Sequence, residues 1–434
     1  MNLNIRKLIP RFVLLLFCST HICLAAQMNG EAARNWPVVI RDTLQHTVLQ
    51  FWIDQALDKE YGGIYGRLNR QGKPTDYGNK SVVLISRSLW SFSEAYRRYP
   101  DPDYQKMAAE CLKFLRDKMW DREHGGYYFM VTREGKIVNS NKELNPMSYV
   151  MEGLAEYALA FHDNQVATEA LDLFRVIDLY AHDNDHGGYR IAFTADWQFI
   201  KDYKDGPNGA GSFGRKSYDW HLGLVEALAT LYDVTGDQKV KMRLNELLDI
   251  FVNRIIDSEV GYGRYYFHDD WNVADHDGDS KQCEYGLDLE ASWLITEAAR
   301  RVGRQEDAKI RRASLALVDH ALRYGFDKEH GGVYRTGPAT EPATNRDMEW
   351  WQQCEAMVAF LNAYQLTGDP KYWQAFDLQV RFFMDRWVDH QYGEVYTALY
   401  HDGRIDDTKV DPWKAPYHVT RACLEIISRL GGTL

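Results

Sequence analysis

The octapeptide Asp58-Lys-Glu-Tyr-Gly-Gly-Ile-Tyr65 decides the fold, because variants of it return five more times along the chain. They read DREHGGYYF from Asp121, DHGGYR from Asp185, DSEVGYGRYYF from Asp257, DKEHGGVY from Asp327 and DHQYGEVY from Asp389. These leading aspartates are 63, 64, 72, 70 and 62 residues apart. Such a period holds two helices and a connecting hairpin, about twice the length of a tetratricopeptide unit.

Around each turn the apolar residues fall at three- and four-residue steps, as in Tyr104–Trp120 before the second turn and Val150–Phe161 after it. That spacing is helical. The glycines and the aromatic residues after them predict short hairpins between the helices. A helix pair of this kind cannot bury its apolar face alone. Six of them closed in a ring can, so the sequence predicts an all-α (α/α)6 barrel of six helical hairpins, with the second helix of each pair inside. No linker rich in Pro, Ser or Gly divides residues 27–434, which read as a single domain.

The first 26 residues have a different character: Arg6, Lys7 and Arg11, then the apolar run Phe12–Cys18, then Ala25 and Ala26. That order is a secretory signal peptide, implying a periplasmic or secreted product with no membrane anchor. A formal net charge of -11 argues against nucleic acid and against an anionic membrane surface as partners. Cys111, Cys283, Cys354 and Cys423 lie far apart, without the spacing of a disulfide framework. No HExxH, EF-hand or Cys/His cluster points to a metal, and no cofactor is expected. Gly209–Gly214 matches GxGxxG but lacks the preceding strand that dinucleotide binding requires. GNKS at Gly78 has only the tail of a phosphate loop.

The repeat also separates scaffold from chemistry. His124, His186 and His330 recur in equivalent turns and read as turn residues. Glu152, Glu226, Glu290, Glu355 and Glu425 recur about one turn into the inner helices, where a carboxylate faces the barrel axis and must be paired. Features unique to single repeats are the site candidates. They include Arg87, a lone cation on an apolar helix, Asp219 with His221, the pair Trp350-Trp351, Trp413, and Tyr417-His418 with Arg421 one turn on. Aromatic rings at a pocket mouth suit the apolar faces of sugars, although Trp is also common in cores.

Four segments carry a resemblance to the N-acylglucosamine 2-epimerase family, which includes cellobiose 2-epimerases and mannose isomerases. They are KSVVLISRSLW from Lys80, YGLDLEASWL from Tyr285, EWWQQCEAMVAF from Glu349 and KAPYHVTRACLEI from Lys414. The resemblance runs from about Trp52 to Leu430. It implies an enzyme in which two histidines face each other across a bound sugar and move the proton next to the carbonyl through a cis-enediol(ate). His418 matches the histidine of the family's PYH element. The histidine of its GHxxE element falls on Leu287, and a third histidine falls on Gly223. His221 matches the first histidine of that third segment, Asp219 replaces a pocket asparagine, and Asn145 replaces a tyrosine. Arg87, Glu290, Trp293, Trp351, Glu355 and Trp413 match retained pocket positions.

The resemblance thus implies a carbohydrate epimerase or isomerase acting on a mono- or disaccharide. His418 is the base, and Glu290, Glu355 or His221 cover the missing role. Arg87 stabilises the enediolate, and Asn145, Asp219, Trp293, Trp350, Trp351, Trp413, Tyr417 and Arg421 surround the sugar. Because Leu287 cannot transfer a proton, an exported glycoside lyase or hydrolase and a non-catalytic sugar-binding barrel stand as alternatives. A monomer or homodimer is expected.

Overall fold

The computed structural model describes residues 35–201, 215–275 and 281–431. The expected signal peptide and the Gly209–Gly214 motif lie outside them. Twelve helices run through the described residues: α1 (Trp36–Thr43), α2 (Val82–Arg98), α3 (Pro102–Phe114), α4 (Leu144–Phe161), α5 (Asn164–Tyr180), α6 (Tyr218–Thr235), α7 (Gln238–Ile250), α8 (Tyr285–Arg301), α9 (Ala308–Tyr324), α10 (Trp350–Thr367), α11 (Pro370–Arg386) and α12 (Tyr417–Arg429). The even-numbered helices touch one another in chain order, and α12 returns to touch α2. This closed inner ring, wrapped by the odd-numbered helices, is the (α/α)6 barrel.

The two rings differ in sequence as their positions demand. Outer helix α9 buries Ile310, Ala313, Leu317, Val318 and Ala321 along one stripe, the pattern of a surface helix. Inner helix α2 is buried without interruption from Val82 to Ala95. Its hydroxyls on Ser86, Ser88 and Ser91 donate to carbonyls three or four residues back, so they add no unpaired polar group. Small residues also let the inner helices approach closely. A Cβ at Gly153 of α4 would lie 2.8 Å from the Ser86 carbonyl of α2.

Aspartates fix where each outer helix begins. Asp101, Asp163, Asp237, Asp307 and Asp369 cap α3, α5, α7, α9 and α11, each accepting a backbone N–H from the first turn. Each cap precedes a turn aspartate by 20 residues: 101 to 121, 163 to 183, 237 to 257, 307 to 327 and 369 to 389. The third turn is therefore led by Asp183, not by Asp185 as its sequence first reads. Asp183 receives Lys216 Nζ at 2.8 Å, and its N–H donates to the Gly188 carbonyl, as Asp58 does to Gly63.

Four of the six turns are locked by buried ion pairs. Lys80, Lys142 and Lys216 stand in two-residue strands just before α2, α4 and α6, and their ammonium groups reach Asp58, Asp121 and Asp183 at 2.8–2.9 Å. Lys409 reaches Asp389 at 3.0 Å. Each of those three strands pairs antiparallel with a strand following the next turn, Lys80–Ser81 with Met130–Val131 for example. The start of each inner helix is thus tied to the neighbouring repeat. His124, His186 and His330 sit 3.4–3.6 Å from their turn aspartates, as turn residues. The four cysteines are buried free thiols, and burial pushes Cys283 and Cys423 up to about 12.

Candidate active site

The inner helices all begin at the end of the barrel where the short strands gather, and a cavity of about 400 Å³ opens there. Its walls come from the first two turns: Asn145 on α4, Asp219 and Gly223 on α6, Leu287 and Glu290 on α8, Trp350 and Trp351 on α10, and His418 on α12. Arg87 on α2 and Trp413 ahead of α12 complete the wall among the residues expected from sequence. Helix N-termini favour negative charge. The ring of six therefore biases the cavity toward an anionic ligand or intermediate.

His418 is the reactive-looking group in this wall. It is 4% exposed, and its Nδ1 lies 2.7 Å from Glu355 Oε1. Glu355 also receives Arg421 Nη2 at 2.7 Å and Trp293 Nε1 at 3.0 Å. Both of those partners can only donate. Burial pushes the Glu355 carboxyl upward, while Arg421 and Trp293 pull it back. A Glu355 that accepts from all its neighbours takes the Nδ1–H of His418 and leaves Nε2 with a free lone pair. Burial, reinforced by the Arg87 and Arg421 cations, holds the imidazole well below its ordinary range. His418 is therefore a neutral base at physiological pH.

Arg87 stands beside it, its guanidinium 4.0 Å from the Tyr149 ring centroid and 5.1 Å from that of Tyr417. Its Nη1 donates to the Trp413 carbonyl at 3.3 Å, while Nε is buried without a partner among the described residues. Asn145 Oδ1 and Asp219 Oδ1 are likewise buried and unpartnered among the described residues. Trp351 lies 5.9 Å from His418, centroid to centroid, and Trp350 lies 6.4 Å away in an edge-on arrangement. Polar groups left unspent between aromatic walls are what a polyhydroxylated ligand needs.

Several residues expected at the sugar belong to the layer beneath it. Arg421 is 3% exposed and ties together Glu226, Glu290, Glu355 and the Tyr417 hydroxyl. Tyr417 in turn donates to Glu152 Oε2 at 2.8 Å. Trp293, Tyr417, Arg421 and Glu355 do not line the cavity; they hold its floor. Glu425 pairs instead with Arg429 at 2.8 Å. Glu290, Glu355 and His418 bring ligand atoms within 4.8 Å of one another, but Arg421 already donates to both carboxylates there. Behind this floor a cavity of about 70 Å³ is lined largely by charged groups such as Glu94, Arg97 and Glu156, which pair among themselves.

His221 does not join the site. Its Nδ1 is 2.7 Å from the Ser217 carbonyl and its Nε2 accepts the Tyr189 N–H at 3.0 Å. Burial lowers it to about 3, and both nitrogens serve the scaffold. Sequence reasoning missed other wall residues, among them Glu284, Arg335, Glu349 and Tyr265. Glu284 and Glu349 each stand immediately before an inner helix, as Glu143 does before α4. That recurrence was the available signal. Burial, helped by Glu349, pushes Glu284 up to about 8.

Leu287 and Gly223 occupy the places where the resemblance expects histidines. Leu287 is 5% exposed and lines the cavity. A Cβ at Gly223 would fall 2.6 Å from Asn145 Oδ1 and 2.8 Å from Ser148 Oγ. Asn145 thus fills the space that a side chain at 223 would need, so Gly223 and Asn145 are one local rearrangement.

A family profile described as N-acylglucosamine 2-epimerase (GlcNAc 2-epimerase) matches residues 63–422. The cellobiose 2-epimerase of Dictyoglomus turgidum is 30% identical over 401 residues, covering 90% of this chain and 98% of that one. That of Bacteroides fragilis is 29% identical over 382 residues, covering 88% and 95%. The solved cellobiose 2-epimerase of Bacillus thermoamylovorans superposes with a TM-score of 0.84 at 27% identity, covering 91% of this chain and 99% of that one. A family 76 glycoside hydrolase of Bacteroides thetaiotaomicron, at 12% identity and a TM-score of 0.59, shares the fold alone. The chain belongs to the N-acylglucosamine 2-epimerase family, a family of carbohydrate epimerases.

Proposed function

We propose that the protein epimerises or isomerises a reducing mono- or disaccharide in its open-chain form. His418 removes the proton from the carbon next to the carbonyl. The observation that carries this reading is the pairing of a buried neutral imidazole, anchored at Nδ1 by Glu355, with the Arg87 guanidinium in one cavity. Abstraction leaves an enediolate whose oxygen charge Arg87 stabilises. Such preorganised stabilisation is generally the largest catalytic contribution. Trp350, Trp351 and Trp413 offer apolar faces to the sugar rings. A volume of about 400 Å³ falls within the range of small-ligand sites, roughly 300–1,000 Å³.

The relatives' names select the first sugars to assay, cellobiose and N-acetylglucosamine, with mannose beside them. His418→Gln should lower turnover of the accepted sugar by about 10²–10⁴-fold, the usual worth of a positioned base, with an unchanged circular dichroism spectrum. Turnover at the wild-type rate would overturn the reading. Export to the periplasm or medium is part of the same proposal and rests on residues 1–26. The mature chain should begin near Gln27. Retention of those residues in the purified native protein would contradict export.

A further inference from the structure

A two-faced proton transfer needs a second group across the sugar from His418, and neither Leu287 nor Gly223 can supply it. Topology identifies what stands opposite. The inner ring runs α2, α4, α6, α8, α10, α12 and closes, so α6 is three places from α12 in either direction. His418 is the second residue of α12, and Asp219 is the second residue of α6. The two therefore occupy matching levels on helices that face each other across the barrel axis, and both line the cavity.

The other cavity carboxyls are placed differently: Glu226 is bound by Arg421, and Asp411, just ahead of α12, accepts the backbone N–H groups of Trp413 and Lys414. Glu290 lies 3.9 Å from His418 Nδ1 and is bound by Arg421, on the histidine's own side. Glu349 is held by Arg335 at 2.8 Å and by the Trp351 indole at 2.8 Å. Glu284 caps α8 ahead of its first turn, beside Glu349 rather than at the level of His418, and its variant is the control for that of Asp219. One oxygen of Asp219, Oδ1, has no hydrogen-bond partner among the described residues, and burial pushes the carboxyl upward, toward the protonated form a donor needs, against bonds from Ser217, Tyr265 and the backbone that pull it back.

We propose that Asp219 is the second acid–base group of this site, acting across the sugar from His418; the proposal rests on the epimerase reading above. His418 Nε2 takes the C2 proton from one face of the open-chain sugar, and the electron pair moves into the enediolate beside Arg87. Asp219 then delivers its carboxylic proton to C2 from the other face. The C2 epimer results, with His418 protonated and Asp219 ionised. One proton passing from His418 to solvent and one from solvent to Asp219 restore the resting state. The reverse reaction exchanges the two roles. Leu287 and Gly223 then mark a transfer of the second role to another position.

Partial reactions separate Asp219 from a merely structural group. Asp219→Asn keeps the shape but cannot hand over a proton. With cellobiose in D2O, the wild-type enzyme should both form the epimer and place deuterium at C2. Asp219→Asn should lose epimer formation by about 10²–10⁴-fold, while His418 still washes the C2 proton of the starting sugar into solvent at a rate within a few-fold of wild type. Glu284→Gln should not separate exchange from conversion: whatever rate it loses, it should lose in both. Epimer formed by Asp219→Asn at the wild-type rate would overturn the assignment, as would the exchange-only behaviour appearing in Glu284→Gln instead. Loss of both exchange and conversion in Asp219→Asn, with the fold intact, would make it a binding residue and also overturn it. If the wild-type enzyme neither exchanges nor converts cellobiose, mannose or N-acetylglucosamine, the epimerase reading falls and this assignment with it.

Discussion

His418 shows how environment sets the role of a single side chain. An exposed histidine would be half protonated near pH 6.5; here burial and two arginines keep it neutral well below that. The free base required for abstraction thus persists as pH falls through 6.5. The kcat/KM profile should stay flat through that pH and lose activity only at more acidic values. An acid limb centred at 6.5 or above would contradict the assignment. His221 is the counterexample: the same residue type is equally buried, yet both nitrogens are spent on the backbone. Helical phase explains why sequence joined it to Asp219. Two residues further along a helix is roughly 200° around its axis, so when Asp219 and Gly223 face the cavity, His221 faces away.

At the scale of elements, the repeat made the twelve helices legible, whereas the layering of side chains was not. The period, the glycine turns and the three-to-four spacing all follow from backbone geometry, so they leave a mark in a single sequence. Which residue of a buried helix meets the ligand and which supports it depends on rotations of a few tens of degrees set by packing. The sequence therefore points to Trp293, Tyr417 and Arg421 as wall residues, although they lie in the floor. The third turn was misphased for a local reason, because Asp183 and Asp185 both precede its glycines. The 20-residue distance from the Asp163 cap, the bond from Lys216 and the Asp183 N–H to the Gly188 carbonyl decide between them. The turn pairs themselves are testable. Lys216→Met leaves the buried Asp183 without its ammonium partner and should destabilise the fold by about 3–5 kcal/mol in urea unfolding. Adding Asp183→Asn should recover part of that loss, since the uncompensated charge is removed. A Lys216→Met variant as stable as wild type would show that these pairs do not lock the barrel.

The molecule as a whole is a closed ring that gathers six helix N-termini around one cavity and fixes each to its neighbour through the turns. The ring explains why this fold is shared with glycoside hydrolases of very low identity: closure depends on the repeat, whereas the reaction depends on a few residues in the first two turns of the inner helices that the repeat leaves free to vary. In this chain those residues keep His418, its Glu355 anchor and Arg87, and they replace the facing histidines. Everything proposed for function rests on His418 drawing a proton from the carbon beside a sugar carbonyl. The most direct test is to incubate the wild-type enzyme with an accepted reducing sugar in D2O and follow that carbon by NMR. Deuterium at that position, absent with His418→Gln, is the predicted result. Product formed with its original proton fully retained in D2O would contradict the account.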